Sequence, residues 1–153
     1  MTIRRYLLGD EHDVWDVYFR ATHESNSRDC HQDLLHRWAP ADQDMGEWRE
    51  RCILKSPFLA MVDDRIVGLA ELEKDGFVDY FYVSPDFQGQ GIGSGLLVRL
   101  EEEARGMGLP RLTAEVSLTA KDFFESRGFV VTEARMNLII GHPAPNFAMT
   151  KEL

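Results

Sequence analysis

The clearest chemical signal is a run of glycines at alternate positions, Gly89, Gly91, Gly93 and Gly95. Residues 77–83 before it are rich in aromatic and β-branched side chains, which predicts a buried strand. Apolar residues every four positions after it predict a helix. Glycine inside a helix costs about 1 kcal/mol relative to alanine, so three glycines at a helix start indicate a need for bare backbone. Because N–H groups at a helix N-terminus attract anions, a phosphate is the expected ligand.

Spacing separates this turn from other glycine-rich loops. A nucleoside-triphosphate loop ends in Gly-Lys-Ser/Thr, and no lysine follows these glycines. A dinucleotide fingerprint, Gly-x-Gly-x-x-Gly, would need glycine where Ser94 or Leu96 stands. The pattern that remains is Gln88-x-x-Gly91-x-Gly93. A tight turn without a ligand is the alternative interpretation, and the cost of the glycines argues against it.

Composition limits the class of protein. The chain has 153 residues, 44% of them hydrophobic, which predicts one domain over 1–153. Neither the cysteines, Cys30 and Cys52, nor the five histidines have metal-ligand spacing. With no long apolar segment, we expect no membrane attachment and a cytoplasmic location. The net charge of −9 argues against nucleic-acid binding and mildly favours a cationic substrate, with ordinary solubility as the alternative.

Turn residues and periodicity predict the elements that position the glycine turn. Asp-Asp at 63–64 and Asp-Gly at 75–76 indicate hairpins that lead directly into it. The strand at 111–116 follows a helical crossover and should lie parallel to the strand at 77–83. In order, we predict a strand at 2–8, helices at 11–25, at 32–38 and from 42–44 onward, strands at 58–62, 65–72 and 77–83, a helix from 92 to 106, a strand at 111–116, a helix capped by Thr119 with Asp122, a closing hairpin of strands at 129–131 and 136–140, and a final strand at 147–150.

This order of elements, with the Gln88-x-x-Gly91-x-Gly93 pattern, resembles the GNAT superfamily of acetyl-CoA-dependent N-acetyltransferases. A second segment, 120–129, resembles the family motif of an alanine, an aromatic pair, Glu and a Gly-Phe ending. The resemblance covers roughly residues 57–131 well. It implies an α/β fold with a central, mostly antiparallel sheet, one parallel splayed strand pair and flanking helices.

The resemblance also implies which residues bind acetyl-CoA, the acyl donor. Backbone groups of residues 81–83 would pair with the pantetheine arm, and the amides of residues 88–94 would hold the pyrophosphate. Ser117 stands where the family often has asparagine. No metal is implied. The implied cofactor-binding residues are Phe81, Tyr82, Val83, Gln88, Gly89, Gln90, Gly91, Ile92, Gly93, Ser94, Ser117, Ala120, Phe123 and Phe124.

Acetyl transfer needs a base for the amine, a donor for the oxyanion and a route for the thiolate to leave. Asp79 and Glu71 are the candidate bases. Asp79 lies in an otherwise apolar run, where burial would raise the pKa of a carboxyl; a solvated or ion-paired acid is the alternative. Phe124 stands where the family often has the tyrosine that protonates the thiolate, so Tyr80 and Tyr82 are the candidate donors, with core packing as their alternative role. Water and Ser117 are the alternative sources of that proton. The main-chain N–H of residue 83 is the family-like oxyanion donor.

Two functions follow as hypotheses. The first is acetyl transfer from acetyl-CoA to an amine by direct attack in a ternary complex, with a small cationic amine as the acceptor and a protein amine as the alternative. The second is an acyl-CoA-binding regulatory module without turnover. The expected partner is a small-molecule amine, not nucleic acid or a membrane, and a homodimer is left open.

Overall fold

The computed structural model describes residues 1–27 and 29–153. Five α-helices flank a sheet of seven strands, and α1 continues into a π-helical turn, Ala21–Ser25. Within the described residues, no helix is long and apolar enough to cross a bilayer. The elements are β1 (Thr2–Arg5), α1 (Glu11–Arg20), α2 (Gln32–Trp38), α3 (Met45–Lys55), β2 (Phe58–Val62), β3 (Arg65–Leu72), β4 (Phe77–Val83), α4 (Ile92–Gly106), β5 (Arg111–Ser117), α5 (Leu118–Ser126), β6 (Val130–Ile139) and β7 (His142–Glu152).

The sheet has the strand order β1-β2-β3-β4-β5-β7-β6. Every neighbouring pair is antiparallel except β4 and β5, which are parallel. This arrangement confirms the predicted α/β fold, including the parallel pair joined through the helix that follows the glycine turn.

Alternating side chains give the sheet two buried faces, because successive residues of a strand point to opposite sides. Ala60 and Ala70 belong to the core under α4 and α5, which contains Leu96 and Leu100. Their neighbours Leu59 and Leu69 belong to the core under α1 and α3, with Val14, Tyr18 and Trp48 as further members. The α4 side carries the glycine turn, and the α1 side carries most of the aromatic residues.

Helix α5 begins earlier than predicted. Ser117, the last residue of β5, is the N-cap, and its Oγ accepts a hydrogen bond from the Ala120 N–H at 3.4 Å. The predicted capping box at Thr119 and Asp122 is therefore wrong. The Thr119 hydroxyl donates instead to the Asp29 carboxylate at 2.8 Å. An earlier serine takes the cap because the strand runs straight into the helix.

The C-terminal part contains two long strands where three short ones were predicted. β6 and β7 pair from Ile139↔His142 back to Val130↔Thr150. Ile140 and Gly141 form the connection with φ of 45° and 81°, as a tight two-residue hairpin turn requires. The predicted break at 132–135 is wrong because those polar residues lie on an exposed edge strand, where a polar side chain does not interrupt backbone pairing.

Candidate functional site

The site begins where β4 and β5 separate. The two strands pair only at Phe77↔Thr113 and Val78↔Ala114. Beyond this point β4 stays paired with β3, and β5 stays paired with β7. The strands therefore open into a cleft with a cavity of about 800 Å³, a volume typical of ligand sites.

Backbone groups of β4 face this cleft. Ser84 N–H donates to Val67 C=O at 2.8 Å, and hydrogen-bonded pairs alternate with non-bonded pairs along antiparallel strands. The pair Gly68↔Val83 is therefore a non-bonded one, as is Ala70↔Phe81. The N–H and C=O of Val83 and Phe81 consequently point away from β3, into the cleft, while those of Tyr82 point toward β3. An extended ligand arm can pair with the two cleft-facing residues as an added strand.

A β-bulge in β4 decides which side chains face which half of the cleft. β3 has one residue fewer than β4 across the stretch from Val78 to Phe81. Val78 and Phe81 consequently both pack on the α4 side. Asp79 and Tyr80, between them, both lie on the α3 side, where Asp79 meets Lys55.

The glycine turn ends in an open helix N-terminus. Gly89 and Gly91 have φ of 72° and 82°, the left-handed region that favours glycine, and a Cβ at either would meet no atom within 4 Å. Gly91 precedes α4, whose first turn carries no acidic residue. Gly95 N–H is bonded to Gly91 C=O at 3.0 Å, so the amides of residues 92–94 precede the first intrahelical bond. This geometry suits a phosphate.

Helix α5 closes one wall of the turn. A Cβ on Gly93 would lie 3.1 Å from the Phe123 ring. The Arg127 guanidinium lies 4.7 Å from the centre of that ring, and its Nε donates to the Ser94 hydroxyl at 3.1 Å. A cation thus stands beside the predicted phosphate site. Sequence reasoning missed Arg127, because only the approach of α5 to α4 brings it there.

The structure brings nearly all predicted cofactor residues to one cavity. Gln90 alone of that set lies outside its lining. Of the four catalytic candidates, Asp79, Tyr80 and Tyr82 contribute to the lining and Glu71 does not. Phe124 is 4% exposed and packs against Phe81 and Phe129, at ring distances of 5.4 and 5.1 Å. The lining residues from the predicted set are Phe81, Tyr82, Val83, Gln88, Gly89, Gly91, Ile92, Gly93, Ser94, Ser117, Ala120, Phe123 and Phe124.

The two candidate carboxylates lie in different environments. For Asp79 the alternative of an ion-paired acid fits: its side chain is 31% exposed, because the bulge turns it toward α3. There it contacts Lys55 Nζ at 3.1 Å and Arg51 Nη2 at 3.5 Å. Glu71 is the buried one, 2% exposed, and it accepts both guanidinium nitrogens of Arg51 and the Tyr80 N–H. Burial raises the pKa of Glu71, and Arg51 opposes that rise.

The cavity has a half beside the glycine turn, where the donor is expected, and a second half lined by aromatic rings. Tyr18 stacks on Tyr80 at 4.8 Å and meets Tyr82 edge-on at 4.9 Å. The Tyr18 hydroxyl donates to Trp38 C=O at 2.7 Å, which holds α1 against the end of α2. The Arg51 guanidinium covers the Tyr80 ring at 3.6 Å. Burial raises the pKa of Tyr82, so its phenol stays protonated near neutral pH and is a weaker acid than an exposed tyrosine.

Two polar residues of this half escaped sequence reasoning. Glu115 of β5 lines the cavity and is held by Arg135 Nη1 at 3.2 Å. Asn146 of β7 lies opposite Ser117, and its Oδ1 is buried without a hydrogen-bond partner among the described residues. An amide oxygen of this kind is a natural acceptor for a bound amine. Strand register alone places these side chains together, so no local signal could have found them.

Comparisons with known proteins agree with this geometry. A family model described as an acetyltransferase (GNAT) domain matches residues 27–138. YafP of Escherichia coli (strain K12), described as an uncharacterized N-acetyltransferase, is 28% identical over 131 residues, 83% of this chain and 79% of YafP. A GCN5-related N-acetyltransferase structure from Rhodopseudomonas palustris is 28% identical with a TM-score of 0.91, covering 99% of this chain and 95% of the other. PaiA N-acetyltransferase of Thermoplasma acidophilum, in complex with coenzyme A, shares the fold at 16% identity and a TM-score of 0.79, covering 100% of both chains.

Proposed function

Since the chain belongs to the GNAT acetyltransferase family, we propose that it transfers the acetyl group of acetyl-CoA to an amine. The observation that carries the proposal is the cleft between β4 and β5, which has an open helix N-terminus at one end and ionisable side chains at the other. A coenzyme A thioester needs an anion site for its pyrophosphate, which the helix N-terminus offers, and an extended channel for its arm, which the cleft offers. The coenzyme A complex of PaiA supports the choice of donor.

In the proposed complex, the pyrophosphate lies against the amides of residues 88–94 with Arg127 beside it. The pantetheine arm pairs with the cleft-facing backbone of Phe81 and Val83, and the apolar rings of Phe123 and Phe124 border it. The thioester, at the end of the arm farthest from the pyrophosphate, then lies at the level of Phe81, beside the aromatic half of the cavity. There an acceptor amine meets the acetyl carbon.

Asp79 is the proposed base, acting directly or through one water. It accepts a proton from the ammonium group, and the neutral amine nitrogen attacks the thioester carbonyl. The cleft-facing Phe81 N–H stabilises the oxyanion of the tetrahedral intermediate, because Phe81 lies farther from the pyrophosphate than Val83, the donor expected from the sequence. As the C–S bond breaks, the thiolate takes a proton from the Tyr82 phenol, with Tyr80 as the second candidate, and the excess proton on the new amide nitrogen passes through water to restore the phenol. Glu71 lies outside the cavity lining, so its proposed role is to hold Arg51 and the Tyr80 backbone in position.

The proposed acceptor is a small amine that is cationic in solution. Asp79 and Glu115 place carboxylates along the cavity, and the faces of the tyrosine rings that line it attract a cation. A protein amine is the alternative acceptor. A single domain over 1–153, a cytoplasmic location and a homodimer stay predictions.

The test is release of free thiol from acetyl-CoA with a panel of amines: alkylamines, diamines, arylalkylamines and lysine-containing peptides. We expect turnover with one small-amine class and none with the peptides. Gly91→Asp serves as the matched inactive control. Binding of acetyl-CoA without thiol release for any amine would refute the enzyme and favour the acyl-CoA-binding regulatory module.

A further inference from the structure

Three potential metal ligands meet outside the cleft. His31 is the N-cap of α2, Asp33 lies in the first turn of that helix, and His142 begins β7. The two imidazole rings stack at 3.7 Å with an angle of 10° between them. His142 Nε2 lies 3.2 Å from Asp33 Oδ2, and His31 Nδ1 lies 3.6 Å from the same oxygen.

We propose that His31, Asp33 and His142 form a binding site for a divalent late first-row transition metal, with Zn²⁺ as the ion of reference. Ligand atoms from the three side chains lie within 4.8 Å of one another. In a tetrahedral site with bonds of about 2.1 Å, neighbouring ligand atoms are separated by about 3.4 Å. The two nitrogen–oxygen distances, 3.2 and 3.6 Å, lie on either side of that value.

The donor set selects the class of ion. Two imidazoles and one carboxylate suit zinc, nickel, copper or iron rather than calcium or magnesium, which prefer oxygen ligands. Three protein ligands leave a fourth position for water. The side chains of His31, Asp33 and His142 are 47%, 54% and 27% exposed, so an ion can enter from solvent.

A simple hydrogen bond accounts for only part of this arrangement. The hydrogen bond between His142 and Asp33 uses one imidazole, and the ring of His31 stacks on it. His31 Nδ1 accepts the Asp33 N–H at 3.1 Å, as an N-cap does. Metal binding would turn the His31 ring out of the stack, so that its Nδ1 exchanges this bond for a bond to the ion.

The three proposed ligands lie beside residues that line the cavity. Cys30 precedes His31 and lines the cavity, and Ala144 and Pro145, which follow His142 closely, line it too. A bound ion would tie the segment at the start of α2 to the β6–β7 hairpin; Asp33 and His142 are 109 residues apart in sequence. It would hold the two sides of the cavity rim together. The metal site does not depend on acetyl transfer and can be tested separately.

The experiment is titration of the tag-free full chain with Zn²⁺ by calorimetry and by competition with a chromogenic chelator. We expect one ion per chain. His142→Gln and His31→Asn should each weaken binding at least ~10-fold, since even outer-shell changes at metal sites cost that much. Asparagine is a strong N-cap, so the second variant removes the imidazole and keeps the helix cap. His12→Gln, which removes an exposed imidazole on α1, is the matched control and should bind as the unmodified protein does.

Further measurements decide the ligand set. Cys30→Ser should leave the affinity unchanged, and thermal unfolding without metal verifies that each variant is folded. Zn²⁺ should also protect the segment around residues 29–33 from proteolysis in the unmodified protein and not in His142→Gln. Equal affinity in the folded His142→Gln and His31→Asn variants, loss of binding in Cys30→Ser, or no binding at millimolar Zn²⁺ would overturn the proposal.

Discussion

Substituting Gly91 by aspartate or by asparagine separates charge from shape at the proposed pyrophosphate site. Both side chains have nearly the same size, and both tolerate the left-handed backbone better than other residues do. A Cβ at Gly91 meets no atom within 4 Å, and φ is 82°, so the two variants share the same modest strain and no steric clash. They differ by one negative charge at the start of α4.

The magnitude follows from linkage. Acetyl-CoA at a hundredfold excess over its dissociation constant should stabilise the folded protein by about 2.7 kcal/mol. For a chain of this size, about 2–4 °C per kcal/mol gives a rise in Tm of roughly 5–11 °C. A carboxylate about 4 Å from a phosphate charge costs about 4 kcal/mol at an effective dielectric constant of 20. That energy weakens binding roughly 1,000-fold, so the rise should vanish in Gly91→Asp.

The assay is thermal unfolding of both variants with and without acetyl-CoA, at one salt concentration. Gly91→Asn should keep much of the rise, whereas Gly91→Asp should lose it while unfolding at a similar temperature without ligand. A full rise in folded Gly91→Asp would refute the anion site at α4. Equal loss in both variants would show that the bare backbone matters and charge does not.

Three further predictions concern catalysis and stability. Asp79→Asn should lower kcat on the order of 10²-fold, the usual contribution of a positioned base, and leave the acetyl-CoA-dependent rise in Tm intact; unchanged kcat and pH profile would make Asp79 structural. Tyr82→Phe should slow turnover with unchanged donor affinity, and adding Phe124→Tyr should partly restore the rate; the idea fails if single and double variants turn over like the unmodified protein. Glu11 has its pKa lowered to about 2, chiefly by the hydrogen bond from the Tyr6 hydroxyl at 2.7 Å. Its contribution to stability is therefore present above its ordinary pKa of about 4.3 and is lost as pH falls toward 2. Between about pH 4.3 and about pH 2, the free energy of unfolding in urea should fall less in Glu11→Gln than in the unmodified protein. If that free energy falls equally with pH in both proteins, this assignment is contradicted.

The donor half of the site was predictable because its signals are local. Glycine at positions 89–95 and the apolar spacing after it predicted the turn and α4 from neighbouring residues alone. The aromatic run before it predicted β4. All of these depend on backbone preference and periodicity within one window of sequence.

The aromatic half of the cavity, where the acceptor is proposed to bind, was not predictable because its geometry comes from strand pairing. The bulge that turns Asp79 toward α3 is a property of the β3–β4 register, not of β4 alone. Glu115 and Asn146 reach the cavity only through the register of β5 with its neighbours. The long β6–β7 hairpin was missed since polar residues on an exposed edge look like a loop in sequence.

The short contact between β4 and β5 has a mechanical consequence. With two residue pairs joining them, the strands β1–β4 and β5–β7 are two plates connected by a hinge at Phe77 and Val78. A donor that bonds to Phe81 and Val83 would act as the missing strand and hold the two parts of the sheet together beyond Val78. Amide hydrogen exchange at Phe81 and Val83 should then slow when the donor binds, whereas the Tyr82 amide, already directed at β3, should change little. The proposed binding mode therefore predicts that the donor completes the sheet.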